Sequence, residues 1–261
     1  MNFIDIHGHY AWGIDDGIKT REDAMKALHI AKDQEMTCIV ATPHFTSGVT
    51  TSEDQQHMGE RIDDLKILAS NYGIQVIQGC ELMLNKHSDQ AIEEGLYFPI
   101  EHTKYLLCEY NVTKPTRSFL EHFDDYLRSV RIKGYTPIVA HVERYFHEGI
   151  DLDYVQYLTD LGCVIQINTT SILGLGLPIH SQNAMKLLDA NMVHVVATDT
   201  HQCEGRRVPN MKEAYHALLD KGFAKEYASL LMEINPLHII HNEKAEDPHY
   251  KRSFFARHFK H

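Results

Sequence analysis

Histidines and carboxylates recur in this chain at spacings that suit metal chemistry. His7-Gly8-His9 sets two imidazoles two residues apart, and Asp15-Asp16-Gly17 follows closely. Ala41-Thr42-Pro43-His44 closes a second apolar run, and Glu81, Glu109 and His141 close three more. Ala197-Thr198-Asp199-Thr200-His201 repeats the spacing of two. Alternate residues of a strand point the same way, so each such pair shares a face. The set His7, His9, Asp16, His44, Glu81, Glu109, His141, Asp199 and His201 is rich in both imidazole and carboxylate. Gathered in one cleft, it reads as a metal site and not as core, because uncompensated buried carboxylates are costly. Any one piece is weak: a His-x-His pair is common and a lone strand-end Glu is usually solvated. The strength is in the set. Imidazole and carboxylate suit zinc, manganese or iron, and the lack of cysteine in the set disfavours a structural zinc finger. The donors are too many for one ion and fit two or three. Three divalent ions against four carboxylates leave a positive centre that attracts a dianionic phosphate. Clustered ions activate water and stabilise both oxygens of an in-line displacement, which suits the very high barrier of phosphate-monoester hydrolysis. Arg144 and Arg206 follow two of the imidazoles in sequence, and a guanidinium can grip phosphate in bidentate fashion. A surface salt bridge is the plainer role for each, and Arg207 competes with Arg206.

The elements that would position these residues are short apolar runs at 3–6, 38–42, 76–81, 105–109, 137–141, 163–167 and 194–197. Most lack polar alternation, as strands buried on both faces do. Helical patterns fill the gaps, at 53–71, 116–133, 151–161, 181–190 and 211–221. Another opens at Thr20, and Asn235-Pro236 reads as an N-cap with an N1 proline. Strands alternating with helices predict a parallel sheet. Seven βα units could close an irregular α/β barrel, with an open doubly wound sheet as the alternative. In a barrel every strand C-terminus opens on one face, which would bring the nine donors together.

With 261 residues, one barrel would use the whole length. The formal net charge of −11 disfavours nucleic-acid binding. No apolar stretch approaches the roughly 18 residues of a membrane span. The first residues lack the pattern of a signal peptide, and the five scattered cysteines suit a reduced, cytoplasmic protein. Cysteine-based tyrosine phosphatases need Cys-x5-Arg. The residues six after each cysteine here are His44, Lys86, Lys114, Thr169 and Pro209. Any phosphatase activity must therefore be metal-based.

The motifs Asp5-Ile6-His7-Gly8-His9, Ile14-Asp15-Asp16-Gly17, Ala41-Thr42-Pro43-His44, Gly79-Cys80-Glu81, Ala140-His141-Val142-Glu143-Arg144-Tyr145 and Thr198-Asp199-Thr200-His201 with Gly205-Arg206 resemble the PHP (polymerase and histidinol phosphatase) superfamily. More narrowly, they are similar to bacterial PHP-type protein-tyrosine phosphatases that regulate capsule and exopolysaccharide synthesis. The resemblance runs from residue 5 to residue 206. It implies a distorted (β/α)7 TIM-like barrel over residues 1–248 and three divalent ions, manganese first, with iron or zinc as alternatives. One ion would take His7, His9, Glu81 and Asp199. A second would share Glu81 and take Glu109 and His141. A third would take Asp16, His44 and His201. Arg144 and Arg206 would hold the substrate phosphate while a metal-activated hydroxide attacks phosphorus. The implied substrate is a tyrosine-phosphorylated protein, such as a membrane-associated bacterial tyrosine kinase. Histidinol phosphatases of the superfamily often carry histidine where this chain has Asp16 and Glu109, which tilts the reading toward phosphotyrosine.

Two rivals stand beside this reading: a small-molecule phosphatase such as one for histidinol phosphate, and a catalytically silent metal-binding scaffold. Trp12 is read equally as a lid residue or as a stacking partner for a phenol ring. His194 is read as a packed core histidine. Residues 249–261, with Lys251, Arg252, Arg257 and Lys260, read as a basic tail.

Overall fold

The computed structural model describes residues 1–250. The four basic residues of the expected tail lie outside the described residues. Nine strands occur among those described: β1 (Phe3–Gly8), β2 (Met36–Ala41), β3 (His44–Thr46), β4 (Gln75–Gln78), β5 (Glu81–Met83), β6 (Tyr105–Glu109), β7 (Thr136–Val139), β8 (Val164–Asn168) and β9 (Val195–Ala197). Helices fill most connections, as predicted, including Arg21–Asp33, Ser52–Ser70, Thr116–Ile132, Leu152–Asp160, Pro178–Asp189 and Met211–Asp220. Thr20 accepts a hydrogen bond from the Asp23 amide and caps the first of them.

Every strand pairing is parallel. The ladders form two sheets, ordered β1-β2-β4 and β3-β5-β6-β7-β8-β9, and not the single closed seven-stranded ring expected from the sequence. The cause is local. The second expected strand ends before Pro43 and an unexpected strand, β3, follows it, while the third expected strand is interrupted at Gly79-Cys80. Pro43 has no amide hydrogen to continue a ladder. The Thr42 amide turns instead to the Gly8 carbonyl (2.9 Å). At the matching break, a Cβ on Gly79 would meet Val40 Cγ1 at 2.9 Å, so the close approach there favours glycine. Pairing resumes with His44 opposite Glu81. The outer ends of the two sheets meet where Gly8 bridges Thr200 and the Asp199 amide donates to the His7 carbonyl (2.9 Å).

Both faces of the strands are buried, as their continuous apolar sequences require. Ile4, Ile6, Val40, Leu107, Ile138, Ala140, Val164, Val195 and Ala197 form an inner cluster, while Phe3, Ile39, Leu106, Cys108, Val139, Ile165 and Val196 pack on the helix side. The inner rows change character along their length. Leu107 leads to Glu109, Val164 to Gln166 and Asn168, and Ala197 to Asp199. The N-terminal half of each row holds the core, and the C-terminal end presents polar groups. Asn235 does not cap a helix as predicted. It is buried with helical backbone, and its Nδ2 donates to the carbonyls of His194 and Glu246 (2.9 Å each).

Candidate metal centre

The nine predicted donors converge on one rim: at or just beyond the ends of β1, β6, β7 and β9, at the starts of β3 and β5, and, for Asp16, on the loop after β1. Glu81 lies at their middle. Its Oε2 is 3.1 Å from His7 Nε2, 3.2 Å from His9 Nε2 and 3.2 Å from His44 Nδ1, and its Oε1 is 2.8 Å from His141 Nε2. Glu109 lies 3.1 Å from His44 and 3.7 Å from His141. Asp199 Oδ1 lies 3.4 Å from both His7 and His201. Asp16 stands at the exposed rim, 3.2 Å from His44 and 3.3 Å from His201.

Strict strand alternation would not have delivered two of these side chains. Ile4 and Ile6 face the inner cluster, so alternation would turn His7 outward; a register shift between Asp5 and Gly8 re-aims it. Val139 faces the helices, so His141 would follow it. The left-handed backbone at His141 (φ 34°, ψ 50°) breaks the alternation instead. Asp199 also has positive φ, at 54°. Non-glycine residues in this conformation carry a cost and concentrate at functional sites.

Within the cluster, Glu81 and Asp199 are buried, and burial alone would raise them. His7 and His44 hold Glu81 well below the usual carboxylate range, and His7 and Arg207 do the same for Asp199. Burial and the Glu81 charge push Glu109 up to about 7. Burial works against a proton on His7, but Glu81 and Asp199 prevail and lift it to about 9.

The donor atoms fit a cation. His44 Nδ1, Glu81 Oε2, Glu109 Oε1, Asp199 Oδ1 and His201 Nε2 are buried without an aligned hydrogen-bond partner, although opposite charges stand within about 3–4 Å of them. Buried polar atoms are rarely left so. Three groups have donor atoms within 4.8 Å of one another: His7, His9, Glu81 and Asp199; His44, Glu81 and Glu109; and His9, Asp16, His44 and His201. The first coincides with an expected ligand set. The second has His44 in place of His141, and the third adds His9.

Sequence reasoning named Asp15 only as part of a motif. Its Oδ2 lies 2.7 Å from His9 Nδ1 and accepts from the His44 amide (3.1 Å), while Oδ1 accepts from the Gly17 amide (2.9 Å). A carboxylate behind an imidazole fixes its tautomer and leaves Nε2 free to ligate. A Cβ on Gly17 would lie 2.3 Å from His9 Cβ and 2.6 Å from its carbonyl oxygen. Gly17→Ala must therefore shift the loop that carries Asp15 and Asp16. We expect about 10- to 100-fold weaker Mn2+ binding, the scale of disturbing an outer-shell partner, measured by equilibrium dialysis.

The two expected arginines part company. Arg144 Nη1 donates to Asp199 Oδ2 at 3.2 Å. Arg206 is exposed, and its neighbour Arg207 reaches Asp199 Oδ2 at 2.7 Å. Trp12 packs in the helix-side core with the Arg61 guanidinium 4.8 Å from its ring centroid, a packing role. His194 is the packed core histidine expected, with Nδ1 accepting from the Ile165 amide (3.1 Å). A cavity of about 1070 Å³ opens at the opposite end of the strands, beside Tyr105, Thr136, Val164 and His194. None of its lining side chains is among the buried polar groups left without a partner.

The model of a capsular polysaccharide synthesis family, CpsB/CapC, matches residues 3–241. The chain belongs to that family. Among curated relatives, the tyrosine-protein phosphatase YwqE of Bacillus subtilis (strain 168) is 28% identical over 232 residues, 88% of this chain and 89% of its own. The tyrosine-protein phosphatase CpsB of Streptococcus pneumoniae is 28% identical over 244 residues, 91% of this chain and 98% of its own. A solved chain from work on YwqE and CpsB, described as unique metal-dependent tyrosine phosphatases, shares the fold. Its TM-score is 0.74 at 23% identity, covering 94% of this chain and 97% of its own. The family match spans all nine donors and both groups of arginines.

Proposed function

We propose that this chain is a metal-dependent protein-tyrosine phosphatase, a phosphoric monoester hydrolase acting in capsular polysaccharide synthesis. The observation that carries the reading is the convergence of nine imidazole and carboxylate side chains, with unpartnered donor atoms packed within 4.8 Å in each of three groups. The family, and relatives named as tyrosine-protein phosphatases, support the substrate class. We assign three ions, manganese first: His7, His9, Glu81 and Asp199 for one; Glu81, Glu109 and His141 for the second; Asp16, His44 and His201 for the third. Bound, such ions supply an activated water and Lewis-acid stabilisation for in-line displacement.

The remaining work falls to the chain's own side chains. Arg144, on the short turn after β7, lies where its fork can hold phosphate oxygens above Asp199. Arg206, exposed on the loop after β9, is assigned to the same phosphate, and Arg207 to steadying Asp199. Arg144→Ala and Arg206→Ala are each expected to lower kcat/KM on an aryl phosphate by about 10²- to 10³-fold, the effect of removing one preorganised charge stabiliser. A larger loss in Arg207→Ala than in Arg206→Ala, read from steady-state rates, would reverse the two assignments.

We read the two sheets as one distorted barrel of the PHP type occupying residues 1–248, which the Gly8–Thr200 bridge between their outer ends supports. No helix among the described residues is long and apolar enough to cross a membrane. The proposed substrate is a tyrosine-phosphorylated protein, specifically a membrane-associated bacterial tyrosine kinase, met from the cytoplasm. The test is relative turnover. Manganese-loaded protein should favour a phosphotyrosyl peptide over histidinol phosphate in kcat/KM. The opposite preference would replace this reading with a metabolite phosphatase, and metal binding without turnover on any phosphoester would leave a scaffold.

A further inference from the structure

Of the seven strands expected from the sequence, the one that became β8 alone runs out into carboxamides and not into an imidazole or carboxylate. Its inner row runs Val164, Gln166, Asn168, and both carboxamides are buried. Two amides at the end of a buried strand are expensive unless every polar atom is used.

They are used, and in one direction only. The backbone amide of His141 can only donate, and it donates to Gln166 Oε1 at 2.8 Å. That bond identifies the oxygen of the Gln166 amide, so Nε2 is the group that donates to Asn168 Oδ1 (2.8 Å). Asn168 therefore presents its Nδ2, which donates to Asp199 Oδ2 (2.8 Å). One main-chain hydrogen thus sets the polarity of three successive bonds. Gln166 Oε1 also lies 3.1 Å from His7 Nδ1. An acceptor there requires a proton on Nδ1, which leaves Nε2, the nitrogen aimed at Glu81 and Asp199, as the one able to ligate an ion. The base of the chain is anchored as well: Glu143 Oε1 accepts from the Asn168 amide (2.9 Å) and from Ser171 Oγ (2.7 Å).

We propose that Gln166 and Asn168 are positioning residues for the metal centre, a directional pair of amides that fixes the His7 tautomer and the placement of His141 and Asp199. The inference rests on the reading of the cluster as an ion site. The three side chains come from β1, from the turn after β7 and from the segment just after β9, so β8 is a common side-chain support for ligands of three separate elements. No hydrogen bond runs from the pair to Asp16, His44 or His201.

The test is Mn2+ binding by equilibrium dialysis together with the Mn2+ electron paramagnetic resonance spectrum, on Gln166→Met, Gln166→Glu and Asn168→Ala. Gln166→Met keeps the volume and removes both functions. It should weaken binding by about 10- to 100-fold and alter the spectrum, the usual consequence of losing an outer-shell partner. Gln166→Glu retains an acceptor for His141 and His7 but offers Asn168 no donor, so its loss should be smaller. Asn168→Ala should disturb the spectrum with Gln166 intact. A parental isotherm and spectrum in folded Gln166→Met would overturn the inference, as would a lowered unfolding temperature with Mn2+ binding unchanged. If Gln166→Met does not fold, Asn168→Ala decides by the same two measurements. A parent chain that binds no Mn2+ would instead overturn the ion site itself.

Discussion

Glu81→Gln is expected to lower kcat on an aryl phosphate by on the order of 10³-fold or more, the upper end of what loss of one preorganised stabiliser costs. Four imidazoles, from His7, His9, His44 and His141, lie within about 3 Å of its two carboxylate oxygens. It also belongs to two of the three donor groups. Glutamine has the same shape but no charge, and its NH2 would point hydrogens where a cation requires a ligating oxygen. The change therefore removes a shared ligand and adds repulsion. Bound manganese, measured by elemental analysis, should fall by more than one ion per chain. Asp16→Asn, which alters a rim residue of one group only, should cost less on both measurements. Glu81→Gln with activity within tenfold of the parent would show that the centre works without its bridging carboxylate.

The strand ends carried most of what the sequence revealed. Six of the seven short apolar runs closed on a histidine, aspartate or glutamate, and a parallel arrangement of such runs brings their C-termini to one face. That logic anticipated that these side chains would meet at one rim. It did so partly by good fortune, because it assumed plain alternation. His7 faces the centre through a register shift, and His141 through a left-handed residue, and neither leaves a mark in a single sequence. The nine strands arose for a related reason. Val76–Glu81 reads as one apolar run because glycine and cysteine do not break an apolar pattern. The break at Gly79-Cys80 is imposed by the neighbouring strand, whose own break at Pro43 was visible.

The outer shell was hardest to read. Gln166 and Asn168 fall in a run that looks like an ordinary buried strand, and Asp15 beside Asp16 looks like half of an interchangeable pair. Their roles depend on partners up to 159 residues away in sequence, such as His7 for Gln166. Adjacent arginines pose the same problem. Arg206 and Arg207 have identical chemistry, and only backbone direction sends one out to solvent and the other to Asp199. Residue type and spacing specify donors well, and they specify the groups that hold those donors poorly.

Exhaustive removal of divalent metal should abolish turnover and also lower Tm, and the second effect follows from the electrostatics of the folded chain. Glu81, Glu109 and Asp199 are nearly fully buried in one place. Glu109, pushed up to about 7 by burial and by the charge of Glu81, reports the strain of packing these carboxylates together. In the unfolded chain they separate into water, so divalent ions find their multidentate site only in the folded state. A ligand that binds only the folded state stabilises it by about 2.7 kcal/mol at 100 times its Kd. For a chain of this size 1 kcal/mol moves Tm by about 2–4 °C. Each ion held at that excess should therefore raise Tm by roughly 5–10 °C. Differential scanning calorimetry with and without a chelator measures the shift, and restoring Mn2+ should recover Tm and aryl phosphate hydrolysis over the same concentration range. Coincidence of the two recoveries ties the stabilising ions to the working ones. Turnover that survives complete removal of metal would end the metal-based reading altogether, because the chain has no Cys-x5-Arg loop to take its place.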